Sequence, residues 1–378
     1  MFTFEKGGKY QMVREKYEFS AETKVGSGEK LFDYVAECVE DFCNKNNIKS
    51  HENVLLPMGF TFSFPMIQEG LNKGILVKWT KGFNATNVVG KDVVQLLIEA
   101  FNRRKLHKTL APVAVLNDTT GTLMSCAWEE PDTRIGLIVG TGCNACYTER
   151  IENVKNTDAP IDQSKPFMII NCESGNFGAD GVLDDILTEF DKTLDSASSH
   201  KREQIYEKLI AGRYLGEIMR LVIVKLINKK LLFNGEGSEK ILKPWQFKTE
   251  FITSIQNDPE GTYENIKEIM SKIDIKTYKE QDLIDVRYIS ELIVTRSASL
   301  ISAGVATLLN KIDISPVTVG VDGTVYRQIP QYKNIMQNKI RCLVKPHINF
   351  KLKLSEDGSG RGAAFVAAVL ETQQKKTT

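Results

Sequence analysis

Apolar segments that end in polar, glycine-rich turns recur along this chain, and they constrain its fold more than any other feature. Pro112 to Leu116 predicts a buried strand, and Asn117 and Asp118 follow it directly. Strands of this kind alternate with helical patterns, which predicts an α/β fold with mixed sheets flanked by helices. In open α/β sheets, ligands bind outside the carboxyl ends of the strands. Three more segments share the design: 138–142, 319–324 and 357–360.

Asp118 has two interpretations at this stage. It is either the N-cap of a helix predicted from Thr119 to Ala127, or a functional carboxylate that faces a cleft. Considered alone, the cap is the commoner role. The glycine-rich turns favour the second role, because successive N–H groups in such turns form anion-binding nests and predict a nucleotide phosphate site. None of the turns is a Walker P-loop or a convincing dinucleotide fingerprint.

Composition excludes several classes of function. The 378 residues carry a net charge of +1 without a long basic block, which argues against nucleic acid as the main partner. We expect no membrane insertion, because no apolar run approaches the roughly 18 residues needed, and the N-terminus lacks a signal-peptide pattern. Seven cysteines, an odd number, predict reduced thiols and a cytosolic location. Cys143 and Cys146 form an isolated CxxC, so no metal site is predicted.

Hydrophobic periodicity predicts the main elements. Apolar residues from Leu31 to Phe42 have helical spacing, and Ser27 is a plausible cap before them. Further helices are predicted at 91–104, 204–232, 282–312 and from Ser359 to about Thr372. Strands are predicted at 1–4, 54–64, 135–139, 317–321 and 348–354.

A second group of polar side chains has the donors and acceptors that several sugar hydroxyls would require. Each also has an ordinary structural interpretation: Ser63 could end a strand, Lys81 could lie on the surface, and Glu207 could lie on a solvated helix face. The residues alone leave both interpretations open. The group comprises Ser63, Thr80, Lys81, Asn117, Asn144, Glu173 and Glu207.

Six motifs in a fixed order make the sequence similar to the eukaryotic hexokinases, of the glucokinase and animal hexokinase type. The similarity runs from Phe2 to about Ala368. It implies that Asp118 is the general base rather than a helix cap. The motifs are Leu56–Pro65, Trp79–Phe83, Asn117–Thr119, Gly140–Tyr147, Thr295–Ala298 and Gly320–Gly323.

The resemblance implies a two-lobed kinase with the actin-like ATPase (ribonuclease H-like) fold, which uses ATP and Mg²⁺ to phosphorylate the 6-hydroxyl of glucose and related hexoses. The small lobe would comprise residues 1–116 with the C-terminal helix 362–378, and the large lobe 117–361. The implied sugar contacts, between the lobes, are Ser63, Thr80, Lys81, Asn117, Asp118, Asn144, Glu173, Gln204 and Glu207. The implied ATP contacts are Thr141, Gly142, Gly212, Thr295, Gly358 and Ser359.

The sequence departs from the family pattern at two places. The family has a phosphate-binding hairpin, Asp-Leu-Gly-Gly-Thr-Asn followed by Phe-Arg-Val, upstream of the strand that begins here at Met1, and this sequence does not contain it. That difference predicts an exposed strand edge and strongly impaired ATP turnover. In the second place, Cys172–Gly178 reads Cys-Glu-Ser-Gly-Asn-Phe-Gly, where vertebrate relatives usually have Glu-Trp-Gly-Ala-Phe-Gly.

Three functions follow as hypotheses. The first is an ATP-dependent hexokinase in the first step of glycolysis. The second is a truncated, catalytically impaired sugar-binding or regulatory homologue on the same scaffold, because function lies in the site and not in the fold. The third, an actin-like ATPase without a sugar substrate, is disfavoured because the sugar contacts look complete. The sequence does not determine the oligomeric state.

Overall fold

The structure is a computed structural model that describes residues 1–4, 10–49, 55–155, 161–259 and 261–377. Its strands are β1 (Phe2–Phe4), β2 (Tyr10–Met12), β3 (Leu56–Thr61), β4 (Met66–Gln68), β5 (Gly74–Leu76), β6 (Leu110–Leu116), β7 (Thr133–Val139), β8 (Cys143–Arg150), β9 (Phe167–Asn171), β10 (Val317–Asp322) and β11 (Phe350–Leu354). Its helices are α1 (Ala21–Val25), α2 (Gly28–Lys45), α3 (Val93–Arg103), α4 (Asp118–Glu129), α5 (Glu189–Ala197), α6 (Ile205–Ile210), α7 (Gly212–Asn228), α8 (Glu239–Leu242), α9 (Thr249–Gln256), α10 (Glu264–Lys272), α11 (Glu280–Ile312), α12 (Thr324–Gln328), α13 (Tyr332–Leu343) and α14 (Gly358–Thr377).

The chain divides into two compact units. The first comprises Met1–Pro131, Glu149–Asn171 and Ser355–Thr378, and the second comprises Asp132–Thr148 and Cys172–Leu354. These limits differ from the predicted lobes, 1–116 with 362–378 and 117–361, which stay a prediction. The consequence for function is that α4 belongs to the first unit, so Asp118 and Lys81 lie in the same unit.

The first unit is built on β3 and β6, which pair in parallel with Thr61 opposite Leu116. Helix α2 begins at the predicted cap, where the Ser27 hydroxyl accepts the Lys30 N–H at 3.3 Å. Apolar side chains from α2, α3 and β6 form the core beneath this pair, as their spacing predicts. Its largest fully buried members include Phe32, Leu76, Leu97, Phe101 and Val115.

Helix α14 packs on β3 and α4 at distances that require glycine. A Cβ on Gly362 would lie 1.9 Å from the Gly121 carbonyl oxygen, and a Cβ on Gly121 would lie 2.5 Å from the Ser359 carbonyl oxygen. The Thr61 hydroxyl donates to that same Ser359 oxygen at 3.1 Å. The close approach therefore places the first turn of α14 beside the carboxyl end of β3 and the first turn of α4.

An apolar groove of about 770 Å³ runs along β3 in the first unit. Met58 and Gly59 of β3, Val39 and Phe42 of α2, and Phe2 of β1 are among its lining residues. Among the described residues, β6 is the one strand that pairs with β3. The exposed strand edge that the sequence predicts stays a prediction.

The second unit contains a mixed sheet in the order β11-β10-β7-β8. Strand β10 is parallel to both β11 and β7, whereas β8 is antiparallel to β7. All six residues of β10 are buried, as expected for a parallel strand that is covered on both faces. The carboxyl ends of β7 and β10 lie side by side, with Asp322 opposite Ile138.

Helix α11 is the long core helix of the second unit. Its 33 residues include a window with a mean hydropathy of 1.6, so it is long and apolar enough to cross a membrane by length and composition. The expectation that no apolar stretch has this length was therefore wrong. Half of that window is buried inside the protein. The Ser297 hydroxyl donates to the Ile210 carbonyl oxygen at 2.9 Å, which ties α11 to α6 within the unit. The absence of membrane insertion stays a prediction.

The predicted helix 204–232 is interrupted, which was not foreseen. Ala211 is extended, with φ −79° and ψ 148°, and separates α6 from α7. The reason is tertiary: the Gly212 N–H donates to the Gly140 carbonyl oxygen at 2.8 Å, and the Arg213 N–H donates to Thr141 at 3.2 Å. The break thus joins the start of α7 to the glycine-rich turn after β7.

Candidate functional site

Asp118 lies at the start of α4, directly after β6. The cap of this helix is Asn117, whose Oδ1 accepts the Thr119 N–H at 3.0 Å, so the interpretation of Asp118 as the cap is wrong. Asp118 Oδ1 accepts the same N–H at 2.9 Å, and Oδ2 lies 3.8 Å from the Lys81 ammonium nitrogen. The side chain is 14% exposed. Its carboxylate is therefore held at the positive end of a helix, opposite a cation.

Lys81 is held in a defined position by its turn. Its backbone is left-handed, with φ 58°, and its ammonium group donates to the Ser63 carbonyl oxygen at 2.7 Å. Thr80, the preceding residue, is buried, and its carbonyl oxygen accepts the Phe83 N–H at 3.1 Å. The structure therefore brings five predicted sugar contacts into one region of the first unit: Ser63, Thr80, Lys81, Asn117 and Asp118.

The other four predicted sugar contacts come together in the second unit. Gly175 is the point of closest approach, because a Cβ there would lie 2.6 Å from Gln204 Oε1, 3.0 Å from the Cys143 carbonyl oxygen and 3.3 Å from Glu207 Cβ. Glu207 is buried, and its Oε2 accepts the Cys143 N–H at 3.0 Å. Because Gly175 has no side chain, three chain segments, near 143, 175 and 204–207, can approach one another closely.

Asn144 joins the same group through the backbone. Its Oδ1 accepts the N–H of Ser174 at 3.1 Å, which places the preceding residue, Glu173, near Asn144. Glu173 and Gln204 are both left-handed, with φ of 47° and 52°. Residues in sparsely populated backbone conformations concentrate at ligand-binding sites. Asn144, Glu173, Gln204 and Glu207 therefore form a polar group whose geometry is fixed by the backbone.

A cavity of about 480 Å³ lies beside the two glycine-rich turns of the second unit. A Cβ on Gly140 would lie 3.3 Å from Gly323 Cα, so the turns after β7 and β10 touch. Gly323 has φ 119°, and a Cβ there would lie 2.3 Å from the Val139 carbonyl oxygen, so this position requires glycine. The lining includes Thr141, Gly212, Trp245, Lys248, Thr249 and Thr324.

The predicted ATP contacts are only partly brought together. Thr141 and Gly212 line the cavity, and Gly142 lies in the same turn, where its carbonyl oxygen accepts the Gly140 N–H. Thr295 is exposed on α11 and does not line this cavity. Gly358 and Ser359 belong to the first unit, at the start of α14.

Most of this cavity wall was not predicted from the sequence, including Trp245, Lys248 and Thr249. Thr324 belongs to the predicted glycine-rich segment 319–324 and does line the cavity. Thr249 has no local signal. Its hydroxyl donates to the Gly212 carbonyl oxygen and accepts the Gly216 N–H, which joins α9 to α7 across a sequence separation that no periodic pattern reveals.

The cysteines behave as ordinary thiols. All seven are free, and Cys143 and Cys146 are buried in β8, where a separation of three residues places them on opposite faces of the strand. Burial, with a smaller contribution from Glu173, raises the pKa of Cys172 to about 11. Its thiol is therefore neutral near pH 7. Among the described residues, no group of three or more His, Cys, Asp or Glu side chains could hold a metal ion.

Comparisons with known proteins give a consistent result. Residues 1–128 and 134–369 match the two sequence families described as hexokinase. The chain is 42% identical over 365 residues to human hexokinase-1, and this alignment covers 95% of the chain but 39% of that protein. It is 41% identical over 368 residues to the hexokinase of Schistosoma mansoni, covering 97% of the chain and 80% of that protein.

A solved structure agrees with these matches. The Schistosoma mansoni hexokinase, solved in complex with glucose, superposes with a TM-score of 0.90 at 40% identity and covers 97% of this chain. The chain spans about two fifths of the length of human hexokinase-1. These findings confirm both the resemblance and the predicted actin-like ATPase fold with mixed sheets. The chain belongs to the hexokinase family.

Proposed function

We propose that this chain is an ATP-dependent kinase that phosphorylates the 6-hydroxyl of glucose and related hexoses, the first step of glycolysis. The observation that carries the proposal is the pairing of Asp118 with Lys81, whose charged atoms are 3.8 Å apart at the carboxyl end of β6. Glucose enters the proposal because a relative with 40% identity was solved with it bound.

Asp118 is the proposed general base. It would accept the proton of the sugar hydroxyl as that oxygen attacks the γ-phosphorus of ATP. Its Oδ1 is already engaged by the Thr119 N–H, which orients the carboxylate and leaves Oδ2 on the side of Lys81. Lys81 would stabilise the negative charge of the transferred phosphoryl group, which is where most of the catalysis of phosphoryl transfer arises.

The remaining polar groups would bind and orient the hexose. Amides such as Asn144 and Gln204 offer both donors and acceptors, and carboxylates such as Glu173 and Glu207 accept bonds from hydroxyls. Ser63, Thr80 and Asn117 are proposed hexose contacts on the same chemical ground. Orientation of the attacking hydroxyl matters because a well-placed reactant gains several orders of magnitude in rate.

ATP would bind with its phosphates against the turns after β7 and β10. Thr141 lies in the first of these turns, and Thr324 follows the second. Backbone N–H groups of glycine-rich turns bind phosphate oxygens, which supports this assignment. Mg²⁺ stays a prediction. The described side chains form no carboxylate cage, and Mg²⁺ is usually bound mainly through the substrate's phosphates.

The decisive experiment is a coupled assay for glucose 6-phosphate with the purified chain and MgATP. Asp118→Asn should lower kcat by about 10²- to 10⁴-fold, the usual contribution of a general base, and Lys81→Met should also lower kcat. Asp162→Asn is the matched control, since Asp162 is exposed and, among the described residues, its carboxylate accepts bonds from Ser164, which is in neither polar group. An Asp118→Asn enzyme at the parent rate contradicts the assignment of the base.

The same assay decides between the two hypotheses that the sequence left open. Strong impairment of ATP turnover stays a prediction, and a folded chain that binds glucose without phosphorylating it would support the sugar-binding or regulatory alternative. Phosphorylation at the rates of its relatives would exclude that alternative. A cytosolic location is likewise a proposal, supported by seven free thiols.

A further inference from the structure

Gln204 is held in an unfavourable backbone conformation by a contact that the proposed mechanism does not use. Its φ is 52° and its ψ is 38°, a left-handed conformation that residues other than glycine rarely adopt. It also precedes α6, whose first N–H groups have no partner inside the helix. A conformation of this kind persists only where neighbouring groups stabilise it.

Asn176 supplies that stabilisation. Its Oδ1 accepts the Gln204 N–H at 3.0 Å. One residue further along, the Phe177 carbonyl oxygen accepts the Tyr206 N–H at 3.1 Å, so the two segments run together for several residues. The Asn176 N–H in turn donates to the Glu173 carbonyl oxygen at 3.1 Å. Asn176 therefore links the two left-handed residues of the polar group.

We propose that Asn176 is a positioning residue of the hexose site, because it fixes the backbone from which Gln204 and Glu207 reach the sugar. The inference rests on the proposed function, in which these two side chains contact the hexose.

The rest of the loop does not depend on Asn176. Both carboxylate oxygens of Asp195 accept the Arg202 N–H at 3.1 Å, and Asp195 also accepts a bond from the buried Lys208 ammonium group at 2.6 Å. These contacts anchor the segment before Gln204 and the helix after it. Asn176 itself is exposed, so its removal leaves the core of the second unit intact. We therefore expect a local change.

The test compares Asn176→Ala, which removes the acceptor, with Asn176→Asp, which keeps an acceptor oxygen in the same place. Asn338→Ala, at an exposed position of α13, is the matched control. Glucose affinity is measured by calorimetry, KM for glucose and for ATP by the coupled assay, and amide hydrogen exchange at Gln204 in the sugar-free protein.

We expect Asn176→Ala to weaken glucose binding about tenfold, the effect of one lost cap, with KM for ATP unchanged and faster exchange at Gln204. Asn176→Asp should restore both values. Parent affinity and parent exchange in Asn176→Ala would overturn the inference. So would an equal loss of glucose and ATP affinity with a lowered Tm, since that indicates a general structural role.

If the parent chain binds no glucose, the proposed function fails, and amide exchange at Gln204 alone decides. Faster exchange in Asn176→Ala supports the positioning role, and unchanged exchange refutes it.

Discussion

Gly175→Ala should separate sugar binding from stability. The new Cβ would lie 2.6 Å from Gln204 Oε1, 3.0 Å from the Cys143 carbonyl oxygen and 3.3 Å from Glu207 Cβ. The shortest contact is with the end of a flexible side chain, which can rotate away. We therefore expect a loss of unfolding free energy of about 1 kcal/mol, at the low end for overpacking. A displaced Gln204 carboxamide leaves a sugar hydroxyl unpaired, which costs about 2 kcal/mol of binding, roughly thirtyfold in affinity.

Urea unfolding and glucose calorimetry on the same preparation measure the two effects. Gly237→Ala is the control, because Gly237 is exposed and its added Cβ would meet nothing closer than 3.5 Å. This control should match the parent chain in both measurements. Unchanged glucose affinity in Gly175→Ala would refute the argument that Gln204 Oε1 contacts the sugar from this position. A loss of unfolding free energy well above 3 kcal/mol in Gly175→Ala would show that the Gln204 side chain cannot rotate away and that the backbone must shift instead.

Two further predictions concern stability. Gly362→Ala should lower the unfolding free energy by about 3 kcal/mol or more in urea titrations, because its Cβ would meet the Gly121 backbone at 1.9 Å and no side-chain rotation relieves that contact. The control Gly360→Ala, whose added Cβ would have its nearest neighbour at 3.7 Å, should leave the unfolding free energy unchanged. An equal loss in both variants would contradict the argument. Burial and Glu173 raise the pKa of Cys172 from 9.0 to about 11, so the unfolded chain loses this proton first and stability falls as pH rises from about 9 to 11. Cys172→Ala should flatten that fall in denaturant titrations at pH 8, 9.5 and 11, and an unchanged slope would contradict the cause.

Local pattern determined much of the fold. The apolar spacing of α2 and the Ser27 cap predicted that helix. The helix predicted at 282–312 begins within two residues of the observed start of α11 and ends at the same residue. Prediction failed at Ala211, where the amphipathic pattern continues but the helix does not. The interruption depends on N–H groups of Gly212 and Arg213 that bond to the turn at Gly140, and no local propensity contains that information.

The candidate site shows the same limit. Motifs located the polar groups of both units, yet the sequence did not reveal the cavity wall near Trp245. That wall is positioned by a buried ion pair: Glu217 accepts the Trp245 N–H at 2.7 Å and a bond from Arg220 at 2.7 Å, and Arg220 donates to the Ile241 carbonyl oxygen at 3.1 Å. Glu217 and Arg220 are only three residues apart on α7, so the sequence suggests a surface pair instead. Only burial of both side chains reveals that they fix a distant loop.

Asn117 and Asn176 each use the side-chain amide oxygen to accept a backbone N–H at or next to the start of a helix. Asn117 accepts the N–H at the start of α4, and Asp118, the next residue, can direct an oxygen towards Lys81. Asn176 accepts the N–H of Gln204 before α6, and the carboxamide of Gln204 is directed beside Gly175. A neutral amide that bonds the backbone adds no charge next to carboxylates that must titrate or bind hydroxyls. In the run Asn117-Asp118, therefore, the bond to the helix N–H does not by itself identify the cap, because both side chains accept the Thr119 N–H. What distinguishes Asp118 is its second carboxylate oxygen, which lies 3.8 Å from the Lys81 ammonium nitrogen. Asn176, which bonds the Gln204 N–H in a similar way, becomes part of the proposed site.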